Sequence, residues 1–414
     1  SISNPAISKD VVASDSFKMV LRTACYNCHS NEVKLAWFDK ISPASWLVAR
    51  DIREGRKVLN FSEWDKLSHD RQKGLLFEIL NQAQFGSMPL KDYTFMHPQA
   101  KISPWHTGIL ERYLRTLMVK PGTDSSKIAA WYKQYQYWTT QEASKTTVNP
   151  SLNGFLFDAS YKNWVVINST VRTDNGTLKM IMGNDIAVKA VIDHQTNPWP
   201  DGTAFAKLTW TAILDTAGNL VPGEYKQIAF MRKDALKYKT TDGWGFSQWD
   251  KGLEMATHGK TALFTTECVN CHKPMKAYDY VFTIPLPLRE MPALQDRLIT
   301  SMADSQGHSM STLYGNDIAT AFARSPKGNV YPAGAILTLV TWKQQDHEHW
   351  FGGKMPATMQ GVEKVVFVKG NSEQVDALYE GYKGNARIKL PAQDTAFVQS
   401  RIDFITSQRA SIMP

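Results

Sequence analysis

The sequence has few cysteines and no long apolar segment. Only four of its 414 residues are cysteine, in two close pairs, so no disulfide framework stabilises the chain. No apolar run approaches the roughly 20 residues that span a bilayer. No dense block of Lys and Arg is present to follow a phosphate backbone. With 43% hydrophobic and 21% charged residues, we expect a globular protein of two or three domains that is neither transmembrane nor nucleic-acid-binding.

The four cysteines form two identical local patterns, each followed at once by histidine. Residues 25–29 read CYNCH and residues 268–272 read CVNCH. Cys-x-x-Cys-His is the attachment motif of c-type haem, in which two thioethers hold the porphyrin and the histidine is the proximal iron ligand. A thioredoxin-like pair does not need the histidine, and a zinc site needs four convergent ligands. The sequence therefore predicts two haem c groups, one at Cys25, Cys28 and His29 and one at Cys268, Cys271 and His272.

Covalent haem predicts a location outside the cytoplasm. Haem c is attached after export, so we expect a periplasmic or other extracytoplasmic protein. The sequence begins at Ser1 without an apolar leader, which fits a signal peptide that has been removed. The net charge of +8 is uneven, because residues 1–145 hold 20 Lys and Arg against 14 Asp and Glu and the remainder holds 27 against 25. This is either an ordinary solvated surface or a docking surface for an acidic redox partner.

Hydrophobic spacing predicts a helical first domain. Residues 42–59 and 69–85 carry apolar residues at helical spacing, and Ser103 precedes a third such stretch. Residues 120–127 are rich in turn-forming residues. We therefore expect the helical domain to span residues 1–122.

A repeat organises the rest of the chain. MGNDIA at 182–187 recurs as YGNDIA at 314–319, and PDGTAFAKLTW at 200–210 recurs as PAGAILTLVTW at 332–342. The offset is 132 residues in both cases, which indicates duplication of a strand-rich module. The copy has no Cys-x-x-Cys-His motif. We predict a linker at 123–154, a haem-carrying module at 155–287 and a haem-free copy at 288–414.

The first haem needs a sixth ligand for electron transfer, and Met88 is the main candidate. Met88 lies in FGSMPL between two predicted helices, and methionine ligation raises the haem potential. The alternatives are a core-filling role for Met88, and His97 or His106 as the ligand.

Residues 20–118 resemble the haem-binding domain family of exported bacterial proteins. The likeness rests on the run from CYNCHSNEVK to NFSEW and on the MPL and HPQAKIS segments. It implies an all-α, class I cytochrome c-like fold, with Met-Pro before the last helix as the ligand segment. Trp37, Trp46 and Trp64 are then expected to be core and haem-packing aromatics.

Residues 155–287 resemble the cytochrome P-460 family, which includes the β-type cytochromes c′. The matching blocks are YKNWVVI (161–167), MGNDIA, NPWPDGTAFAK (197–207), RKDALKY (232–238), GWGF (243–246), ECVNCH (267–272) and DYVFT (279–283). The resemblance implies an α+β module with an antiparallel sheet, in which Lys207 contacts the haem edge, covalently in true P-460 members. The other interpretation is an ordinary strand lysine that faces solvent. Leu339 stands at the matching position of the copy.

The resemblance also implies a distal carboxylate in hydroxylamine-oxidising members. Alignment through Lys233 and Asp234 places Ala229 there, and alanine is not a base. Asp185 and Glu267 are other carboxylates, and His194 is more simply explained as a surface-loop residue. His347 and His349, in QQDHEHW of the copy, are better explained as surface residues than as metal ligands.

These patterns predict a multidomain protein, with an all-α cytochrome c-like domain followed by two α+β modules with antiparallel sheets. We expect an exported dihaem c-type cytochrome in which a His/Met haem exchanges electrons with an open-site haem. That haem would oxidise or reduce a nitrogen oxide, hydroxylamine or peroxide. The alternatives are an electron carrier without its own substrate and an NO- or CO-binding protein. The copy is expected to be structural, forming an internal pseudo-dimer with the haem-carrying module.

Overall fold

The computed structural model describes residues 3–119, 125–139, 147–253, 264–304, 306, 308–325, 328–370, 374–384, 388–391 and 394–414. The chain divides into two compact units, Ser1–Val119 with Glu348–Gly352, and Lys120–His347 with Gly353–Pro414. The first unit is helical and the second contains an antiparallel sheet with helices, so the predicted fold class is confirmed. The two predicted sheet modules lie in the same compact unit.

The first unit contains the predicted helices. Its helices are α1 (Asp15–Ala24), α2 (Tyr26–His29), α3 (Ala44–Val58), α4 (His69–Gln84), α5 (Lys91–Met96) and α6 (Pro104–Thr116). Ser68 and Ser103 cap α4 and α6, because each hydroxyl accepts a main-chain N–H from the first turn. The core consists of buried apolar side chains, among them Phe17, Phe77 and Leu110. This core fixes the helices around the first Cys-x-x-Cys-His motif.

The second unit starts with a helix and continues as a sheet. Its helices are α7 (Ser125–Thr139), α8 (Asp185–Ile192), α9 (Phe264–His272), α10 (Asp317–Arg324) and α11 (Thr395–Thr406). Its strands are β1 (Val165–Arg172), β2 (Thr177–Gly183), β3 (Ala204–Leu214), β4 (Asn219–Lys233), β5 (Trp244–Asp250), β6 (Arg297–Asp304), β7 (Ser309–Gly315), β8 (Ile336–Asp346), β9 (Gly353–Lys369), β10 (Val375–Lys383) and β11 (Ile388–Lys389). No helix among the described residues is long and apolar enough to cross a membrane.

Helix α7 lies inside the segment that the sequence predicts as a linker. Its Gln134 is buried and exchanges two hydrogen bonds with the main chain of Tyr225 on β4, at 3.0 Å and 2.6 Å. Trp131, Tyr135 and Trp138 also pack against the core of this unit. Residues 125–139 are therefore an integral part of the second unit, because their aromatic side chains and one buried amide attach them to the sheet.

The structure repeats at the same offset as the sequence. Strands β1, β2 and β3 and helix α8 correspond to β6, β7, β8 and α10, and every bound in these pairs is shifted by 132 residues. Even the irregularity in pairing recurs, between Val166 and Asn168 in one copy and between Leu298 and Thr300 in the other. The sequence repeat thus predicts a true structural repeat.

The two repeats share one sheet. The strand order is β1-β2-β3-β4-β6-β7-β8-β9-β10-β11, with β5 also paired to β4. Two short antiparallel contacts join the repeats, Asn219 opposite Asp304 and Arg172 opposite Gly353. Because β1 pairs with β9, strands β1–β4 and β6–β9 form a closed circuit. The copy therefore completes the hydrogen bonding of strand ends that the first repeat presents.

Candidate haem sites

The first motif forms a single helical turn after α1. The main-chain N–H of Cys25 donates to the Leu21 carbonyl at 2.8 Å, and the N–H of His29 donates to the Cys25 carbonyl at 3.0 Å. The i, i+3 spacing therefore brings both cysteines near the same side of the turn, with the histidine at its end. Asn27, between the cysteines, donates to the Tyr93 hydroxyl at 2.8 Å. This contact ties α5 to the motif.

His29 is oriented by main-chain carbonyls of α3. Its Nδ1 lies 3.1 Å from the Gly55 oxygen and 3.2 Å from the Leu59 oxygen. Because a carbonyl only accepts, Nδ1 carries the proton and Nε2 is the basic nitrogen. Burial lowers the pKa of His29, which also favours the neutral imidazole that binds metals. A Cβ on Gly55 would lie 3.1 Å from the Cys28 oxygen and 3.3 Å from the His29 ring, so this close approach favours glycine.

The thiols of the first motif lack the electrostatics of a redox-active pair. Burial raises the pKa of Cys25 to about 12 and that of Cys28 to about 11. A thioredoxin-like pair works through a thiol whose pKa is lowered. The opposite shift here disfavours the redox interpretation of Cys-x-x-Cys.

The candidate sixth ligands differ in their surroundings. Met88 lies in the loop between α4 and α5 and is 39% exposed, so it is not the core filler considered as its alternative role. His97 is buried, with Nε2 3.0 Å from Asp39 Oδ1 and its ring stacked on Tyr93. His106 caps α6 through a bond from the Ser103 main chain. The two histidines therefore have structural partners, and Met88 presents part of its thioether side chain to the surface.

The three predicted haem-packing tryptophans do not share one environment. Trp64 is buried, as predicted, but Trp37 and Trp46 are 73% and 71% exposed and are not part of the polypeptide core. Trp46 lies nine residues before Gly55 on α3, which is half a turn around the helix from the side that faces His29. Trp37 directly precedes a single 3-10 turn.

The second motif ends helix α9, and a main-chain carbonyl again orients its histidine. Nδ1 of His272 donates to the Tyr280 carbonyl at 2.7 Å. The rings of Phe246 and Phe282 each lie 5.1 Å from the imidazole. Burial lowers the pKa of His272 to about 4, so the ring is neutral at physiological pH. In both motif histidines, therefore, Nδ1 is hydrogen-bonded to the main chain and the imidazole is neutral, which is the state required of an iron ligand.

Lys207 lies on the sheet face that carries the second motif. It is opposite Ile181 on β2 and Ala229 on β4. Burial lowers the pKa of Lys207, and the electrostatic influence of Cys271 and Cys268 opposes this shift, so the amine lies near the attachment cysteines. Ala229 places only a methyl group directly opposite the lysine.

Two further cations adjoin Lys207, and sequence reasoning did not identify them. Lys179 on β2 is opposite Thr209, which makes it a diagonal neighbour of Lys207 on the same face. Arg172 on β1 is one diagonal step further and binds Asp174 at 2.6 Å. Burial, together with Arg172 and Lys207, lowers the pKa of Lys179 well below its usual range. The repeat could have revealed them, since the matching residues in the copy are uncharged or acidic.

The copy has other residues in place of these cations, and they line a cavity. Asp304, Ser311 and Leu339 stand where the first repeat has Arg172, Lys179 and Lys207. These three residues line a cavity of about 310 Å³, together with Arg401 and Phe404 of α11. The copy therefore has a cavity beside its sheet but lacks the three cations of the first repeat.

Other predicted residues lie away from this chemistry. Asp185 is exposed at the first turn of α8, and His194 is exposed after that helix, as a surface-loop residue. The side chain of Glu267 lies outside the described part of the structure. His347 and His349 belong to no cluster of three or more metal-binding side chains among the described residues.

The donor sets fit haem iron. Each motif combines paired cysteines on a helical turn with a neutral histidine whose Nδ1 is bonded to the main chain, which is the arrangement of a proximal haem ligand. The fold and the sites thus define a haem-binding protein of the cytochrome class.

Family comparisons identify both parts. The family model described as haem-binding domain matches residues 1–116, and the model described as cytochrome P460 matches residues 158–283. These two matches confirm the two resemblances. No curated protein matches the chain.

Proposed function

We propose that the protein is an exported dihaem c-type cytochrome, in which an electron-transfer haem serves an open-site haem that reacts with a small ligand. The observation that carries the proposal is common to both motifs. His29 and His272 each donate from Nδ1 to a main-chain carbonyl beside two cysteines. When bound, the haem groups supply redox-active iron. The polypeptide holds each imidazole neutral and in a fixed orientation.

His29 and Met88 would hold the iron of the first haem. Met88 is partly exposed, whereas the Nε2 atom of its rival His97 is engaged with Asp39. Methionine ligation gives a high potential, which suits a haem that passes electrons without binding a substrate.

Lys207 contacts the edge of the second haem, with covalent attachment as the stronger form of the proposal. Its lowered pKa increases the fraction of neutral amine, which is the nucleophilic form. If Nζ were bonded to a porphyrin carbon, one N–H and one C–H would be replaced, so two electrons and two protons would have to pass to an oxidant of the peroxide class. Loss of this lysine in the haem-free copy, as Leu339, supports a role tied to haem.

The ligand of the second haem is a nitrogen oxide or peroxide rather than hydroxylamine. Ala229 lies directly opposite Lys207, and the charged neighbours on adjoining strands include the cations Lys179 and Arg172. This position therefore supplies no carboxylate base to take protons from hydroxylamine. The same alanine favours a second candidate function, in which the protein carries electrons or binds NO or CO without turnover.

Mass and optical spectra of the full holoprotein test these assignments. We expect two haems in the wild type, and one in each of the double variants Cys25→Ala/Cys28→Ala and Cys268→Ala/Cys271→Ala. A covalent Lys207 makes the wild type lighter by two hydrogen atoms than two thioether-bound haems require, and Lys207→Arg abolishes this difference. Two ordinary low-spin spectra would refute the open site and leave electron transfer.

The remaining proposals concern location, partner and the copy. Covalent haem places the protein in the periplasm or another extracytoplasmic space. The excess of positive charge in residues 1–145 suits an acidic redox partner, whose binding must weaken with salt. The copy acts as the second half of an internal pseudo-dimer, supported by the two strand contacts that join the repeats. Cell fractionation and the salt dependence of electron transfer test the first two proposals.

A further inference from the structure

A buried ion pair lies close to the second motif. Lys233, the last residue of β4, places Nζ 2.8 Å and 3.0 Å from the two carboxylate oxygens of Asp279. Both side chains are about one-tenth exposed. The carboxylate also accepts bonds from the Trp244 indole at 3.2 Å and from the Trp199 main chain at 2.8 Å. One carboxylate therefore joins β4, β5, the segment before β3 and the segment after α9.

Asp279 directly precedes the residue that holds His272. Asp279 and Tyr280 have φ values of 49° and 67°, a left-handed conformation that residues with side chains rarely adopt twice in succession. In this conformation the Tyr280 carbonyl accepts the proton of His272 Nδ1 at 2.7 Å. The Tyr280 hydroxyl also donates to Asp242. The direction of the carbonyl thus depends on contacts that hold an unfavourable backbone in place.

The haem-free copy shows that the sheet itself does not need this charge. The main chain of Lys233 bonds to Gly202 and Thr203, and the main chain of Phe367 makes the same two bonds to Gly334 and Ala335. Phe367 is buried and stacks on Tyr331.

An apolar residue therefore fills the equivalent place in the fold. Replacing a buried ion pair by apolar residues is often neutral or stabilising, because burial desolvates both charges. The pair is therefore better explained by the haem site than by the stability of the sheet.

We propose that Lys233 and Asp279 are positioning residues for the second haem site. Their ion pair holds the left-handed Asp279–Tyr280 segment, and the Tyr280 carbonyl in turn fixes the His272 ring and strengthens its donation to iron through Nε2. The first site differs, because His29 bonds to carbonyls of Gly55, inside α3, and Leu59, at its end. The inference rests on the proposed role of His272 as an iron ligand.

The test uses the full-length holoprotein and the variants Asp279→Asn and Lys233→Met/Asp279→Asn. The readouts are the iron–histidine stretching band and the midpoint potential of the second haem. His272→Gln assigns the band, and if no band disappears in that variant, the proposed ligand itself is wrong. The matched control is Glu363→Gln, which breaks the bidentate pair with Arg401 in the copy, at 2.7 Å for both bonds.

We expect both Asp279 variants to lower the stretching frequency and raise the potential of the second haem, because a weaker hydrogen bond makes His272 a poorer donor. A change of about tenfold in the ratio of reduced to oxidised haem corresponds to 59 mV for one electron. The first haem should not change, and Glu363→Gln should alter stability alone. The double variant removes both charges and tests the proposal even if Asp279→Asn does not fold. An unchanged band and potential in a folded double variant would overturn the proposal.

Discussion

Replacing Gly55 by alanine tests the close approach of α3 to His29. Alanine in a helix interior gains about 1 kcal/mol over glycine. At position 55, however, the new Cβ would lie 3.1 Å from the Cys28 oxygen and 3.3 Å from His29 Cε1. To relieve these contacts, the neighbouring atoms must move by a few tenths of an ångström. Overpacking of this kind costs about 1–3 kcal/mol. We therefore expect Gly55→Ala to lower the free energy of unfolding by about 1 kcal/mol.

The same movement should alter the first haem. The His29 bonds of 3.1 Å and 3.2 Å already lie at the long end of the hydrogen-bond range, so displacement weakens them. We expect a changed midpoint potential at this haem alone.

Gly74→Ala, on the exposed surface of α4, is the matched control, because nothing lies within 4 Å of its new Cβ. Denaturant unfolding should show this control more stable by about 1 kcal/mol. Equal stabilisation by both substitutions, with an unchanged first haem, would refute the reasoning.

Three further predictions concern ligation, packing and pH. Met88→Ala should remove the methionine–iron charge-transfer band. His97→Gln should keep the band and lower stability by about 2 kcal/mol, because the buried Asp39 then keeps only its bond from the Ala36 main chain. Loss of the band only in His97→Gln would reverse the assignment. Gln134→Ala should cost about 2 kcal/mol in urea unfolding, since it removes both hydrogen bonds between the Gln134 amide and the Tyr225 main chain, and exposed Gln136→Ala is the control. Burial raises the pKa of Glu78 in the folded protein above its ordinary value of 4.5. As pH rises, the Glu78 carboxyl therefore loses its proton in the unfolded state before it does so in the folded state. The contribution of Glu78 to the free energy of unfolding thus falls as pH rises above about 4.5. Glu78→Gln should flatten that slope and be more stable than wild type at pH 7; an unchanged pH profile would contradict the assigned shift.

The sequence predicts the haem attachment residues, and it also predicts the order of the helical and sheet regions. Cys-x-x-Cys-His is a local pattern whose chemistry needs only adjacent residues, so both motifs were visible without a fold. Helical spacing predicted α3, α4 and α6, and the 132-residue offset predicted the structural repeat. Helical spacing and the repeat can be seen in the sequence because each depends on the order of residues along the chain.

Several parts of the sites depended on contacts between distant segments. Gly55 meets His29 across 26 residues, and Lys233 meets Asp279 across 46, which no local pattern encodes. The sequence predicts a linker at 123–154, where the structure has helix α7. The attachment of α7 to the sheet depends on one amide, Gln134, and on aromatic packing, and neither contact has a local sequence signature.

The sequence by itself predicts which residues attach haem, because Cys-x-x-Cys-His is a local pattern of five residues. Only the tertiary structure decided how each histidine is held, since a main-chain carbonyl has no sequence signature. It also decided that the two repeats share a closed circuit of strands, because pairing of β1 with β9 depends on the twist and register of the whole sheet.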